Sequence, residues 1–274
     1  DCHVVVINDA RTSRIPWETL HINDAFPAAA AGMSRKYEAQ NLVVAKWLEE
    51  RRLDRVLKVL LVVDPTEDLP GAREEGGRIK EILKDQPGVV VEELWRNKAT
   101  YSAIRAAFRS GQYDVVHYAG HAFFDPVNRS RSGIVCHGRQ VLSGADIAGL
   151  ERLPALMFFN ACESGRVRGQ PRRLRSQVDR EKGQGTAARL ETNVGFGEAL
   201  LRAGVGNYIG TYWPVGDASA KAFGATFYEN IVNGKSLGTA MGEGRKKVAA
   251  LESEDWADYI LYGDPDFVVK RLDS

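Results

Sequence analysis

Short, unbroken runs of β-branched and aliphatic residues punctuate this chain, and between them apolar residues recur at every third or fourth position. Val4-Val5-Val6-Ile7, closed by Asn8-Asp9, shows no alternation and reads as a strand buried on both faces. The same signature returns at 59–63 before Asp64-Pro65, at 89–91 after Pro87-Gly88, at 114–118 before Ala119-Gly120, and then at 155–159, 205–212 and 267–269. Helical spacing fills 37–51, 72–84, 100–108, 196–203, 218–230 and 236–251. Strands alternating with helices predict βαβ units, hence an α/β fold with a central, mostly parallel sheet flanked by helices. In such sheets chemistry collects just beyond the carboxyl ends of the strands. That rule points to the residues after Tyr118, Phe159 and Tyr212.

One stretch departs from this pattern. Segment 165–190 carries Arg166, Arg168, Arg172, Arg173, Arg175, Arg180, Arg189 and Lys182 against only Asp179 and Glu181, with almost no apolar periodicity. It is expected to be a long, exposed insertion loop. The organisation expected overall is one domain over 1–274, with 1–51 as an N-terminal portion. A chain that opens on Asp1 and enters a strand almost at once reads as a piece of something longer.

Composition narrows the function classes. With 44% hydrophobic and 27% charged residues the chain is an ordinary globular sequence, long enough to bury a substantial core. A formal net charge of +1 gives no global reason to expect nucleic acid or an anionic membrane as partner. No apolar run approaches the roughly 20 residues that span a bilayer, and no basic-then-apolar leader precedes the first strand. Cys2, Cys136 and Cys162 are odd in number, widely spaced and free of any C-x-x-C pairing. They form no disulfide framework and no cysteine zinc site, which suits a reducing cytosol.

Two residues at strand ends carry candidate chemistry. His121 follows the run 114–118 and the turn Ala119-Gly120; Cys162 follows 155–159 and the turn Asn160-Ala161. If these strands are neighbours, imidazole and thiol face each other at one sheet edge, and a thiol beside a histidine becomes a nucleophile. The N–H groups of Cys162 and Ala122, flanked by small residues, suit an oxyanion hole. Position alone leaves the plainer reading open, since a free cysteine is also among the commonest core residues.

The wording around both residues adds to this. His117-Tyr118-Ala119-Gly120-His121-Ala122 and Asn160-Ala161-Cys162-Glu163-Ser164-Gly165 closely resemble the active-site motifs of the CHAT family, caspase-like peptidases related to separase and the caspases. Ile15-Pro16-Trp17-Glu18-Thr19-Leu20, the stretch from Asp68-Leu69-Pro70-Gly71 to Glu75, Gly210-Thr211-Tyr212-Trp213-Pro214-Val215-Gly216-Asp217 and Leu261-Tyr262-Gly263-Asp264-Pro265 match further family segments in order, so the resemblance spans nearly the whole chain. It implies a caspase-like three-layer α/β fold and a cysteine endopeptidase that needs no metal or organic cofactor. His121 would be the general acid/base and Cys162 the attacking group. Ala122 stands where the family often has Gly, which leaves its N–H in place.

The resemblance also implies a pocket lined by the strand and loop after the catalytic cysteine. Asp217 is placed to line it and to select Arg or Lys; it is equally placed to cap the helix that starts near Ala218. Asp146 has the same two readings at Ser143-Gly144-Ala145-Asp146. Trp213 walls the pocket or belongs to the core, and Glu163 adds negative charge beside the nucleophile. In relatives a processing site follows the catalytic cysteine, which makes Arg166, Arg168, Arg173, Arg175 and Arg180 candidate cleavage points in a regulatory loop. A solvated insertion is the plainer alternative. Partners implied by kinship are protein substrates and an upstream protease, sensor or CRISPR effector in bacterial defence or programmed death. A decayed scaffold, or an RNA- or DNA-responsive module using the Arg-rich loop, are the rival functions.

Other candidates carry less. His117 is expected to be a hydrogen-bonded core histidine, His137 to lie in a surface turn, and His3 and His21 to have no partner within sequence reach. Gly71, Gly76 and Gly77 lack the lysine and hydroxyl of a phosphate-binding loop.

Overall fold

The computed structural model describes residues 3–9, 12–22, 24–37, 56–123, 131–147, 150, 152–161, 197, 200–201, 205–212 and 215–269. In chain order the elements are β1 (Val4–Asn8), α1 (Pro27–Ala30), β2 (Met33–Tyr37), β3 (Leu57–Val63), α2 (Pro70–Leu83), β4 (Val89–Trp95) and α3 (Tyr101–Ser110). They continue with β5 (Val115–Gly120), β6 (Ala122–Phe123), β7 (Gly133–Val135), β8 (Val141–Ser143), α4 (Gly144–Ile147) and β9 (Leu156–Ala161). The last are β10 (Asn207–Thr211), α5 (Asp217–Val232), α6 (Leu237–Ala249) and β11 (Tyr259–Tyr262).

An 8-stranded sheet in the order β1-β2-β11-β10-β9-β5-β3-β4 divides the molecule, and β6, β7 and β8 form a small antiparallel sheet on one side. All pairings in the large sheet are parallel except β10 with β11. The four strands β3, β5, β9 and β10 therefore point the same way and deliver their carboxyl ends to one rim.

Alternation along the central strands feeds two cores. Leu57, Val59, Leu61 and Val63 of β3, with Leu156 and Phe158 of β9, pack on α2, α5 and α6 through Ile79, Phe223, Phe227, Tyr228 and Met241. Leu60 and Val62, with Met157 and Phe159, face α3 and the small sheet through Ile104, Phe108, Ile134 and Leu142. Fully burying such side chains stabilises by about 1.5–3 kcal/mol each. This is why central strands read as continuous apolar runs.

Two expectations are corrected. β1 is an edge strand, and Val5 and Ile7 are 40% and 73% exposed, so it is buried on one face only. The apolar run 267–269 is not a strand. Phe267 and Val269 are buried against the core, but the Phe267 carbonyl accepts the Leu237 N–H at the start of α6. The remaining sheet position is taken by β11. The predicted helix at 37–51 falls, beyond Tyr37, outside the described residues.

The N-terminal portion is locked to the body by two buried arginines. Arg35 on β2 pairs with Glu18, donates to the Ser13 carbonyl at 2.8 Å and lies over the rings of Tyr212 and Tyr262. Arg245 on α6 donates to the carbonyls of Tyr259 (2.7 Å) and Met33 (3.1 Å). Desolvation draws its guanidinium down to about 10, with Glu18 opposing the shift and Arg35 adding to it. Among the described residues no helix is long and apolar enough to cross a membrane.

Candidate active site

His121 leaves the sheet directly after β5, buried to 8% exposure. Its backbone is fixed from two sides. The Tyr118 hydroxyl donates to the His121 carbonyl (2.6 Å) and approaches that of Val135 (2.9 Å), and the Val135 N–H donates to the same His121 carbonyl (2.9 Å). Tyr118 can fold back this way because residue 120 is glycine: a Cβ there would sit 2.5 Å from the phenol oxygen.

The ring is held by a residue that the sequence pattern did not single out. Nε2 lies 3.0 Å from Asp68 Oδ1. A carboxylate only accepts, so Nε2 carries the proton and Nδ1 keeps its lone pair as the basic nitrogen. Nδ1 is buried and has no hydrogen-bond partner among the described residues. Partial burial pushes the Asp68 carboxyl up, but the hydrogen bond from Thr66, the neighbouring imidazole and Arg139 outweigh it and hold the group below its ordinary value.

Asp68 sits in the loop between β3 and α2, which is clamped at several points. Asp64 at its start is fully buried, pairs with Arg73, and accepts the Leu69 N–H at 3.0 Å. Its own N–H donates to the Ala119 carbonyl of β5 at 2.8 Å. Nδ1–H of His137, in the β7–β8 turn, reaches the Pro65 carbonyl at 3.2 Å, and Arg139 of that turn lies 3.7 Å from Asp68. Asp64 and Glu67 adopt left-handed φ values of 46° and 66°, a strain of order 1 kcal/mol each that the clamps must offset. His137 is therefore a half-buried loop anchor rather than a plain surface residue.

The register of β5 and β9 decides what can meet His121. Gly120, just before the histidine, pairs with Ala161, just before Cys162. Neighbouring strands lie about 4.8 Å apart, so the two chains leave the rim side by side. Cys162 itself lies outside the described residues, as do Glu163, Trp213 and Arg166, Arg168, Arg173, Arg175 and Arg180 of segment 165–190. Ala122 is described. The bond from Val135 N–H to the His121 carbonyl makes Ala122 and Ile134 a non-hydrogen-bonded pair, so the Ala122 N–H points away from β7.

Asp217 is the first residue of α5, exposed, with Gly216 as the N-cap and no side-chain capping bond. At this first-turn position the Asp217 carboxylate complements the helix dipole, so the helix-start and pocket readings both stand. Its carboxyl group lies against Gly71 at the start of α2, where a Cβ would come within 2.3 Å of its carboxyl carbon. This places Asp217 beside the loop that carries Asp68. Asp146 is engaged at its own helix start: Oδ2 accepts the Ser143 N–H and hydroxyl at 2.9 and 2.7 Å, and Oδ1 accepts the Tyr101 hydroxyl at 3.0 Å.

Cys136 is fully buried and its thiol is pushed up to about 11 by desolvation, which keeps it protonated and inert at neutral pH. His117 corrects another expectation. It is buried among Phe158 and Tyr228, yet neither ring nitrogen makes a hydrogen bond among the described residues; Nε2 lies 3.3 Å from Glu75 Oε1 without hydrogen-bond alignment. No group of three or more metal-binding side chains occurs among the described residues.

A family model described as "CHAT domain" matches residues 2–264. No curated protein matches the chain. Among solved structures it is similar to separase in the Saccharomyces cerevisiae separase–securin complex, determined at 2.6 Å, with 17% identity and a TM-score of 0.54 over 95% of this chain and 16% of that one. A second structure of the complex, at 3.0 Å, gives 16% identity and a TM-score of 0.54 over 97% of this chain and 16% of that one. At these identities the likeness is one of fold, and the chain spans 16% of the matched chains.

Proposed function

Because this chain belongs to the CHAT domain family and carries a caspase-like fold, we propose that it is a cysteine endopeptidase in which His121 and Cys162 share the proton transfers. The observation that carries this reading is the His121–Asp68 pair, set on the strand whose neighbour, in register, leads into Cys162. Nδ1 of His121 takes the thiol proton, and the thiolate adds to the scissile carbonyl. The N–H groups of Ala122 and Cys162 hold the oxyanion. Collapse passes the proton from Nδ1 to the leaving amine and leaves a thioester, which water hydrolyses with His121 as base. Asp68 keeps the Nε2 proton in place and favours the imidazolium that forms.

Selection of Arg or Lys before the cut follows from the carboxylate of Asp217, held beside the same loop by Gly71. The Arg-rich segment 165–190 is the proposed processing site, since it supplies the residue type this pocket accepts.

A biotin-tagged acyloxymethyl ketone with Arg next to the reactive carbon tests the proposal. Mass spectrometry should find the tag on Cys162 of the wild type and on no residue of His121→Ala. A wild-type Cys162 that stays unlabelled while the protein is folded would refute it.

A further inference from the structure

Beneath the rim, on the face covered by α2 and α5, four polar side chains are buried together. Glu75 of α2 is 2% exposed, His117 of β5 0%, Asn160 of β9 4% and Tyr228 of α5 0%. Strand parity explains their meeting. Residue 117 shares a face with Val115, and residue 160 with Leu156 and Phe158, all of which pack on these helices.

One carboxylate oxygen touches both strands. Glu75 Oε1 accepts the Asn160 side-chain N–H at 2.8 Å and lies 3.3 Å from His117 Nε2. His117 stands four residues before His121, and Asn160 two before Cys162. The surroundings are aromatic, with Phe158 and Tyr228 against His117, so a carboxylate is the costly choice for packing here. The Asn160 side-chain carbonyl oxygen and the Tyr228 hydroxyl find no partner among the described residues, so the network is not closed among them.

We propose that Glu75 is a positioning residue for the nucleophile. By holding Asn160 it fixes how β9 ends, two residues before Cys162. This rests on the proteolytic reading of the site. The acceptor bond is what matters, so an amide in place of the carboxylate should serve.

The test uses Glu75→Leu and Glu75→Gln in two assays: cleavage of a fluorogenic Arg peptide, and the pH profile of Cys162 alkylation by iodoacetamide, which needs no turnover. Misplacing a reacting group by about 1 Å costs about 100-fold, so Glu75→Leu should lose about that factor in kcat while KM stays within about twofold. Its thiol should alkylate at the pH of an ordinary cysteine, whereas the wild type reacts at lower pH. Glu75→Gln should retain the wild-type profile and most of kcat. If Glu75→Leu does not fold, Asn160→Ala cuts the same bond from its other end and is read the same way. A leucine variant with the wild-type kcat and profile, or a glutamine variant that falls as far as leucine, overturns the positioning role alone. A wild-type thiol that titrates like an ordinary cysteine, with no peptide cleaved, overturns the proteolytic reading and the positioning role with it.

Discussion

Replacing Asp68 by Asn tests the carboxylate beside His121 without changing its size. In the wild type the Nε2 proton faces that charge at 3.0 Å. Against an imidazolium this separation corresponds to about 1.4 kcal/mol at the dielectric constant of water and about 5.5 kcal/mol at an effective value of about 20. The Asp68 side chain is 47% exposed, so solvent screening keeps the gain toward the lower figure, about 2 kcal/mol. That is roughly a 30-fold loss of kcat/KM. The amide adds a second handicap, because its NH2 can donate to Nε2 and move the ring proton to Nδ1, leaving no base toward the thiol. The assay is kcat/KM for a fluorogenic Arg peptide as a function of pH. Asp68 is held below its ordinary value, so its contribution is present above the usual carboxylate range and lost as pH falls through the depressed value. The wild-type advantage should therefore be present from about pH 7 to about pH 8 and be lost in acid strong enough to protonate Asp68. An Asp68→Asn enzyme within about twofold of wild type across that range, or one altered only in KM, would show that the carboxylate is not coupled to the chemistry.

Gly71→Ala places a methyl group 2.3 Å from the Asp217 carboxyl carbon and should reduce the preference for Arg over a neutral residue by about tenfold in a peptide-library digest; an unchanged preference would move the pocket elsewhere. Glu18→Gln leaves two buried guanidiniums, Arg35 and Arg245, without their carboxylate and should cost about 3–5 kcal/mol, read from the urea midpoint. Desolvation, with Asp255 and Glu254 nearby, raises Asp258 to about 7; a raised carboxyl withdraws stability as pH climbs from about 4 to about 7, at most about 4 kcal/mol and about 2 kcal/mol after solvent screening of this half-buried group, so Asp258→Asn should be more stable than wild type by about 2 kcal/mol at pH 8 and equal to it near pH 4 in thermal melts. Wild type and Cys162→Ala expressed side by side should differ by cleavage within 165–190; an intact wild type with full activity would exclude processing there.

The central strands were legible because their physics is local: at 59–63 and 155–159 both faces are buried, so an unbroken apolar run is the whole signal. β1 carries the same kind of run, yet lies at an edge. Nothing in a tetrapeptide tells a strand with two neighbours from one with a single neighbour. Tyr259–Tyr262 and 267–269 are equally apolar, and only the tertiary demand for a cap at α6 decides which pairs with the sheet. The same limit applies at the site. His121 was marked by its place at a strand end, but Asp68 lies 53 residues away. The strand-end rule covers it all the same, since it follows β3 on the same rim. Glu75 carried no such signal, because an acid inside an otherwise amphipathic helix looks like a solvent-facing one until the helix is docked.

Along the rim, β3, β5, β9 and β10 stand in spatial order, and each hands over one component of the proposed machinery in a connection of its own. Such a layout is modular. A connection can lengthen or change its chemistry while the strands beneath it keep their pairing, so new specificities or new controls could be acquired by rewriting one loop at a time. The Arg-rich segment 165–190, directly after the connection that carries Cys162, is where such a change would be sought first on this scaffold.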